Sequence, residues 1–411
     1  MTNTAITVRS SAADDALSHG DGVLSLAPAW VPRAFCVPGK RLKLHPDDYF
    51  PLGGDRGGID ERWLASSTRA DNGPLTGEFE GLSLAHTPDG GLIPFDVAVH
   101  SLRASLVGAR LWDRFGSWPM YSKFFDNAGP LPFHVHHNDE MAARVGARGK
   151  PEAYFFPPQL NNHTGSTPVT YFGLRPGTTR DDFIWHLKRY GRDGDNRITD
   201  LSLAYRLELG TGWDVPPGVL HAPASVLTYE PQSASDVFAM CECWTSSRTI
   251  SEDLLWKDVP VGERGNYEYI VDILDWEKNT DPDFARNRFM RPRRIQSPEG
   301  SREEWVVYRS HAFSAKQLTI APGATVTITD AAAYGVVATQ GHGTFGIWTV
   351  ETPTLIRYGQ PTHDEFFVSE EAALAGVAIT NGSDIEPLVL LKHFGPDCPD
   401  NAHNLQDDHG Q

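Results

Sequence analysis

Histidines and one glutamate in three stretches of the chain are of the types that bind metal ions. In the run Phe-His-Val-His-His, alternate side chains of an extended strand share a face, so His134 and His136 point the same way. Segment 210–221 reads G-x5-P-x-G-x2-H, in which two glycines and a proline favour a tight turn that delivers His221 from a neighbouring strand. Together with Glu152, these residues predict one metal site built from separate β segments.

The expected ligands are three imidazoles and one carboxylate. This set suits a borderline divalent ion such as zinc, manganese, iron or nickel, and the residue types do not choose among these metals. Zinc is the expected ion, with the other three as alternatives. Glu152 is the preferred carboxylate ligand. Glu140, four residues after His136, is the alternative because its spacing also occurs in metal-binding β-barrels.

Composition predicts an all-β or β-rich protein. The 411 residues are 40% hydrophobic, which is enough for two domain cores without disulfides. The 38 glycines and 30 prolines favour many short strands and turns over long helices. The net charge of -17 would repel a polyanionic backbone, so nucleic acid is excluded as a partner.

Cysteine usage and hydropathy indicate where the protein works. The four cysteines have no CxxC spacing and are interpreted as free thiols that pack in the core. The N-terminus lacks a signal-peptide pattern, and no run approaches the roughly 18 apolar residues of a membrane span. We therefore expect a soluble, cytoplasmic protein with no membrane partner. Association into a homo-oligomer stays open.

The order of β-type runs, breakers and polar stretches predicts the domain organisation. Residues 1–25 are expected to be flexible, and 26–280 to form the metal-binding catalytic domain. A helix is expected near 178–191, because Thr179 occupies an N-cap position ahead of acidic and apolar residues in a helical pattern. The remaining boundaries are a linker, 281–300, a second metal-free domain, 301–395, and a tail, 396–411.

Several motifs give the chain a family resemblance over roughly residues 50 to 260. They are Gly58-Ile-Asp-Glu-Arg-Trp-Leu-Ala-Ser66, Trp118-Pro-Met-Tyr-Ser-Lys-Phe-Phe-Asp126 running into Leu131-Pro-Phe-His-Val-His136, Gly149-Lys-Pro-Glu152 and Glu230-Pro-Gln-Ser-Ala-Ser-Asp236. The His-x-His pair and the Gly/Pro turn resemble those of the cupins. The motifs in this order resemble those of the type I phosphomannose isomerases. The resemblance implies two cupin-type antiparallel β-barrels or sandwiches with a small helical insertion.

The same resemblance implies a site and an activity. The implied ligands are His134, where the family has glutamine, and then His136, Glu152 and His221. The family uses zinc in an aldose–ketose isomerisation, so a metal-dependent sugar isomerase working through a cis-enediol is expected here. The candidates for moving the proton in that reaction are Lys150, Glu230 and His137.

Departures from the family pattern bear on the substrate. Met240 stands where the family has an arginine, Pro132 where it has a serine on the phosphate side, and Ser246 near its expected lysine. Because a phosphate dianion needs charge-assisted donors, we expect an unphosphorylated sugar as the partner molecule. Glu242 and Arg248 are the candidate substrate-binding residues.

Three alternatives to that activity remain. One is true mannose 6-phosphate isomerase activity. Another is an oxidative cupin that uses iron or manganese, because His134 makes the ligand set resemble that of such enzymes. The last is a non-catalytic cupin in which the metal only orients the hydroxyls of a bound sugar.

Overall fold

The computed structural model describes residues 10–192 and 194–401, and it is β-rich. Its helices are α1 (Ser10–His19), α2 (Phe95–Leu102), α3 (Ala104–Val107), α4 (Ala109–Phe115), α5 (Asp139–Ala143), α6 (Arg180–Leu187), α7 (Tyr267–Ile273), α8 (Trp276–Asn279), α9 (Phe284–Arg288) and α10 (Glu370–Ala375). All are short, as the density of glycine and proline predicts.

Short strands make up most of the regular structure. In chain order they are β1 (Val23–Ala27), β2 (Ala29–Pro32), β3 (Ile59–Leu64), β4 (Leu84–His86), β5 (Leu92–Pro94), β6 (Met120–Phe125), β7 (His134–Val135), β8 (Glu152–Phe155), β9 (Val169–Phe172), β10 (Leu203–Arg206), β11 (Gly212–Val215), β12 (His221–Ala222), β13 (Thr228–Ser233), β14 (Ala239–Met240), β15 (Trp244–Thr245), β16 (Arg248–Thr249), β17 (Phe289–Met290), β18 (Arg293–Ile295), β19 (Ser301–Val307), β20 (Ser314–Ile320), β21 (Thr325–Ile328), β22 (Tyr334–Gln340), β23 (His342–Phe345), β24 (Trp348–Glu351), β25 (Glu365–Val368), β26 (Val377–Asn381) and β27 (Leu388–Phe394).

The first barrel is built from two sheets that face each other. One sheet has seven strands in the order β17-β11-β8-β13-β6-β3-β2, and the other has five in the order β10-β9-β12-β7-β14. Neighbouring strands pair in the antiparallel sense, for example β13 with β6 over six residue pairs. The space between the two sheets holds the predicted metal ligands.

The seven-stranded sheet is buried on both faces, and its side chains alternate between two environments. On β13, Tyr229 packs in the large core shared with the second barrel, whereas the next residue, Glu230, faces the interior of the first barrel. On β6, Phe124 and Lys123 divide in the same way. Since successive residues of a strand point to opposite faces, one strand supplies both an apolar packing surface and polar site residues.

Helices cover the outer face of the five-stranded sheet. Helix α6 begins at Thr179, whose side chain and that of Asp182 form a reciprocal capping box. The helix predicted near 178–191 is therefore confirmed. Its buried residues Phe183 and Leu187 join Phe133 and Val135 of the His-x-His segment in one apolar cluster. The outward-facing residues of that segment thus anchor it to the helices.

The second barrel contains strands from both ends of the chain. Its nine-stranded sheet has the order β18-β19-β20-β27-β22-β25-β1-β4-β5 and lies beside a four-stranded sheet, β21-β26-β23-β24. Strand β1 pairs with β25, with Leu24 opposite Phe367. The expectation of two cupin-type antiparallel β-barrels or sandwiches is confirmed.

Two of the expected boundaries differ from the structure. The stretch expected to be flexible, 1–25, contains α1 and most of β1 from Ser10 onward, and residues 1–9 of it lie outside the described residues. The expected linker, 281–300, contains α9, β17 and β18, and the last two strands pair with β11 and β19. The physical reason is that β1 and β17 pair with strands far away in sequence, whereas β18 forms a hairpin with the following strand, β19.

Two other features of the described residues concern cysteine and membranes. Each of Cys36, Cys241, Cys243 and Cys398 is buried with a free thiol. Among the helices of the described ranges, we find none with the length and apolar character needed to cross a bilayer.

Candidate metal centre

Three histidines converge between the two sheets of the first barrel. His134 on β7 lies directly opposite His221 on β12, and their ring centroids are 4.1 Å apart. The ring of His136 lies 5.0 Å from each of the other two. One nitrogen from each ring lies within 4.8 Å of the others, and all three side chains are buried.

Backbone carbonyls fix the orientation of each imidazole. Nδ1 of His134 lies 2.6 Å from the Pro132 carbonyl oxygen, and Nδ1 of His221 lies 2.8 Å from that of Val219. Nδ1 of His136 lies 2.7 Å from the Val237 oxygen. A carbonyl only accepts, so each Nδ1 carries a proton, which leaves Nε2 of a neutral ring as the nitrogen with a lone pair. All three rings are therefore in the tautomer of a metal ligand.

Glu152 supplies the carboxylate from the opposite sheet. Its Oε2 lies 2.9 Å from Nε2 of His136, and its Oε1 lies 3.0 Å from Nε2 of His221. Tyr154, two residues along β8 and on the same face, donates a hydrogen bond of 2.5 Å to Oε1. Glu152 thus joins the three imidazoles in one cluster.

Electrostatics keep the cluster in the protonation state that metal binding requires. Burial lowers the pKa of His134 well below its usual range and that of His136 to about 3, so both rings are neutral. Burial raises the pKa of Glu152, but Lys150 and the nearby imidazoles more than offset this and hold it well below its ordinary range. Neutral imidazoles and an ionised carboxylate are the forms that coordinate metals.

These residues fit a divalent metal ion. Ligand atoms of zinc and similar ions lie about 2.0–2.2 Å from the metal, so two adjacent ligands of one ion are close to each other, as Glu152 is to His136 and His221. Glu152 is ionised among these ligands, so the cluster itself offers negative charge to a bound cation.

Two lysines and Glu230 lie beside the cluster on the seven-stranded sheet. Nζ of Lys150 lies 3.1 Å from Oε2 of Glu152, 3.1 Å from Nε2 of His136 and 3.8 Å from Oε1 of Glu230. Nζ of Lys123 lies 3.2 Å from the same oxygen of Glu230. Glu230 is therefore held between two ammonium groups, one of which also contacts a predicted metal ligand.

Charge in this network depends on burial and on pairing. Burial and the neighbouring Glu152 raise the pKa of Glu230 to about 8, against the opposing effect of Lys123 and Lys150. Burial lowers the pKa of Lys123, but Glu230 and Glu61 more than offset this, so Lys123 stays charged. Glu230 thus has an affinity for protons suited to proton transfer near neutral pH.

A second ion-pair network lies next to Lys123. Nζ of Lys123 also lies 3.0 Å from Oε1 of Glu61, and Nε of Arg33 donates to Oε2 of the same carboxylate at 3.1 Å. The two terminal nitrogens of Arg33 donate to Asp236 at 3.1 and 2.9 Å. Asp236 precedes by one residue the Val237 carbonyl that orients His136, so this network also supports the cluster.

Two candidates from the sequence lie outside the cluster. His137 faces the Lys257–Asp258 segment, and burial, opposed by the Asp258 backbone, lowers its pKa to about 4. It follows His136 directly in an extended segment, so the two rings point to opposite faces. Its expected role as a proton carrier stays a prediction, and the structure places its ring away from the three imidazoles. Glu140 lies on α5, exposed and paired with Arg144 at 3.0 Å, so it is not near the imidazoles.

The two candidate substrate-binding residues make contacts with the backbone. Glu242 is buried, accepts a hydrogen bond of 2.7 Å from the Phe133 N–H, and has a pKa raised by burial to about 8. Arg248 is exposed on the β15–β16 hairpin and donates to the carbonyls of Ala34 and Cys36. Glu242 therefore fixes the start of the His-x-His segment, and Arg248 ties the hairpin to the loop after β2.

Sequence reasoning did not single out four residues of the site. Three of them belong to motifs that carried the family resemblance: Glu61, Lys123 and Asp236. Those motifs were the sequence signal that could have identified these three as site residues. Arg33 stands outside those motifs, and its role follows only from contacts with residues 28 and 203 positions away. A paired arginine of this kind has no local sequence signature.

The interior of the second barrel is occupied by ion pairs. Asp330 accepts hydrogen bonds of 2.7 Å from Lys316 and from Lys392, and Lys392 also contacts Glu303. These side chains are buried and compensate each other's charge. Among the described residues, the grouping of three or more potential metal ligands is the His134 cluster of the first barrel.

Comparison with known proteins gives matches of structure alone. No family model and no curated protein matches the sequence. A variant of phosphomannose isomerase from Salmonella typhimurium matches with a TM-score of 0.63 at 11% identity, covering 91% of this chain and 100% of that one. Mannose 6-phosphate isomerase from Bacillus subtilis matches with a TM-score of 0.60 at 13% identity, over 90% of this chain and 99% of that one.

A third matching structure is that of a protein with bound metal. It is a mannose 6-phosphate isomerase bound with zinc and yttrium, with a TM-score of 0.61 at 12% identity over 91% of this chain and 100% of that one. At such identities the likeness is one of fold. The chain has the two-barrel architecture of the phosphomannose isomerases across most of its length.

Proposed function

We propose that this protein is a metal-dependent aldose–ketose isomerase that acts on an unphosphorylated sugar. The observation that carries the proposal is the placement of Glu230 and Lys150 beside a buried cluster of three histidines and a glutamate. That arrangement combines a site for a divalent ion with groups able to move a proton. The fold shared with phosphomannose isomerases supports the same reaction class.

The metal ligands in this proposal are His134, His136, Glu152 and His221. These residues would hold a divalent ion, which would supply Lewis-acid polarisation of the carbonyl and the adjacent hydroxyl of an aldose. Zinc is the proposed ion, with manganese, iron and nickel as alternatives, since imidazole and carboxylate accept all of them.

The protein's own groups carry the proton. Glu230 removes the proton from C2 of the aldose, the hydroxyl proton passes from O2 to O1, and Glu230 returns its proton to C1, which makes the ketose. Lys123, 3.2 Å from Oε1 of Glu230, holds that carboxylate in place. Lys150 contacts both Glu152 and Glu230 and stabilises negative charge as it develops on the sugar oxygens.

The charges around the site support a neutral substrate. Each buried cation already contacts a carboxylate: Arg33 contacts Asp236, Lys123 contacts Glu61 and Lys150 contacts Glu152. A phosphate dianion needs donors whose charge is not already matched. Met240, which lies opposite His134 in the β7–β14 ladder, adds an apolar side chain where a cation would help to bind phosphate.

The experiment follows solvent deuterium. Metal-loaded protein is incubated in D2O with a panel of free aldoses and with mannose 6-phosphate, and NMR measures ketose formation and deuterium at C1 and C2. The proposal predicts exchange with at least one free aldose and less with the phosphate ester. Glu230→Gln abolishes exchange, whereas the matched surface variant Glu140→Gln keeps it. No exchange with any aldose, or a preference for the phosphate ester, overturns the proposal.

A second candidate function follows from the third imidazole. The ligand set of three histidines and a glutamate also suits an oxygenase that uses iron or manganese. Oxygen consumption by iron-loaded or manganese-loaded protein, measured with an oxygen electrode in the presence of sugars, would favour this function over isomerisation.

A further inference from the structure

A groove of about 650 Å³ opens between the loop after β2, the segment 55–75, Phe238 and the segment 249–264. Its lining includes Phe35, Phe238, Ile250, Leu254 and Trp256, and we call it the Phe238 groove. None of the predicted metal ligands lines it. The volume lies within the range of about 300–1,000 Å³ that small-molecule sites occupy, so the groove is large enough for a ligand group of its own.

A small apolar cluster links the lining of the groove to the strand beside the metal centre. Met240 lies opposite His134 in the β7–β14 ladder, and paired residues share a face of the sheet. Phe238 lies two residues earlier, so it shares that face with Met240. Phe238, Met240 and Ile250 form one apolar cluster. The lining of the groove thus reaches the strand partner of a metal ligand.

Charges along the groove disfavour an anionic occupant. Arg56 donates to both carboxylate oxygens of Glu80 at 2.7 Å. Lys257 lies 2.9 Å from Asp71 and 3.2 Å from Asp258. Arg264 is exposed at the rim. Two of the three cations that line the groove are therefore already neutralised.

The polar edge favours a group with hydroxyls. Asn72, Thr249 and Ser251 line the groove beside its apolar residues. A pyranose ring has an apolar C–H face that packs on aromatic and aliphatic side chains, and hydroxyls around its edge that bond to such polar groups. The combination of lining and edge matches an uncharged sugar ring.

We infer that the Phe238 groove holds a second, uncharged sugar ring, so that the substrate is a reducing disaccharide whose reacting end lies at the metal centre. The inference rests on the proposed function for the placement of the reacting end. The second ring is attached at the far end of the first, away from C1 and C2. A monosaccharide at the metal centre leaves the groove unused.

Binding of disaccharide alditols tests the inference separately from catalysis. An alditol made by reducing cellobiose, maltose or β-1,4-mannobiose keeps the far ring but has no carbonyl to isomerise. Isothermal titration of the metal-loaded full chain compares these alditols with the hexitols of the single sugars. We expect at least tenfold tighter binding of one disaccharide alditol than of its hexitol.

Two threonine variants identify the place of binding. Thr249 is exposed on β16 at the edge of the groove, and Thr249→Trp fills the groove with an indole ring. Thr349, exposed on β24 of the second barrel, gives the matched control Thr349→Trp. We expect Thr249→Trp to weaken alditol binding at least tenfold, whereas Thr349→Trp leaves it unchanged.

Three outcomes would contradict the inference or limit what it means. Equal affinity for disaccharide alditols and hexitols, or equal binding by the two variants, overturns the inference. Tighter binding of mannose 6-phosphate that is lost in Arg264→Ala assigns the groove to an anionic group and also overturns it. Tight alditol binding in the groove without deuterium exchange on any sugar supports a sugar ring in the Phe238 groove and overturns the isomerase activity.

Discussion

Tyr154 donates a hydrogen bond of 2.5 Å to Oε1 of Glu152, the oxygen that also lies 3.0 Å from Nε2 of His221. Both residues are on β8, two positions apart, so their side chains share the face that looks into the first barrel. Tyr154 therefore fixes the orientation of the carboxylate that completes the predicted metal site.

Removing that hydroxyl should weaken metal binding. In Tyr154→Phe, Glu152 loses the partner that holds Oε1, and such supporting contacts are commonly worth about 10–100-fold in metal affinity. Competition with a chromophoric chelator measures the affinity. The control is Tyr171→Phe, because Tyr171 packs on the helical side of the five-stranded sheet. Equal affinities in Tyr154→Phe and wild type would show that the tyrosine does not support the ligand.

Lys123 should be essential for stability as well as for the site. In Lys123→Met, the buried carboxylates of Glu61 and Glu230 lose a shared cation, and breaking a buried ion pair on one side costs about 3–5 kcal/mol. Urea unfolding measures the loss. Lys188→Met, at an exposed position after α6, should change the free energy of unfolding by less than about 0.5 kcal/mol. Similar values for the two variants would contradict the network.

His393 should make the protein sensitive to acid. Burial lowers the pKa of His393 to about 3, so between that value and the ordinary value of 6.5 the unfolded chain binds a proton that the folded chain does not. The contribution of His393 to stability is therefore complete above pH 6.5 and is lost as the pH falls towards 3, by up to about 1.4 kcal/mol per pH unit.

A substitution isolates this effect from those of other histidines. His393→Gln should show a shallower fall in the free energy of unfolding between pH 7 and pH 5 than wild type, as measured by urea unfolding. His342→Gln, at an exposed position of the second barrel, should keep the slope of wild type. A slope in His393→Gln as steep as that of wild type would rule out this assignment.

Gly335 on β22 leaves space for the ring of His393. A Cβ atom at position 335 would lie 2.1 Å from Nε2 of His393 and 2.7 Å from Cβ of Ala65. Gly335→Ala should therefore destabilise the protein by about 1–3 kcal/mol through overpacking, measured by thermal or urea unfolding. Gly262→Ala, where a Cβ would meet nothing within 4 Å, is the control. Unchanged stability in Gly335→Ala would mean that this core relaxes freely.

Much of the metal centre could be predicted from local rules. Strand alternation pairs His134 with His136, and the Gly/Pro turn delivers His221. The same alternation predicts that the ring of His137 faces the other way from that of His136. The family resemblance supports the choice of Glu152 over Glu140, because carboxylate spacing alone does not show that Glu140 lies on an exposed helix.

Long-range pairing was the part that the sequence could not predict. Strand β1 joins the second barrel through Leu24 and Phe367, which are more than 300 residues apart, and no local pattern specifies such a partner. Arg33 similarly forms its ion pair with Asp236, which lies 203 residues away, so its role cannot be predicted from a local pattern. The β-rich class and the helix at Thr179 were predictable because composition and capping are local.

Counting bound metal tests the central claim most directly. Protein stripped with chelator, reloaded with zinc and desalted is analysed by inductively coupled plasma mass spectrometry. We expect about one ion per chain in wild type and in His137→Ala, and none in folded His136→Ala/His221→Ala. An ion retained by the double variant, or no ion in wild type with any of zinc, manganese, iron or nickel, would contradict the account.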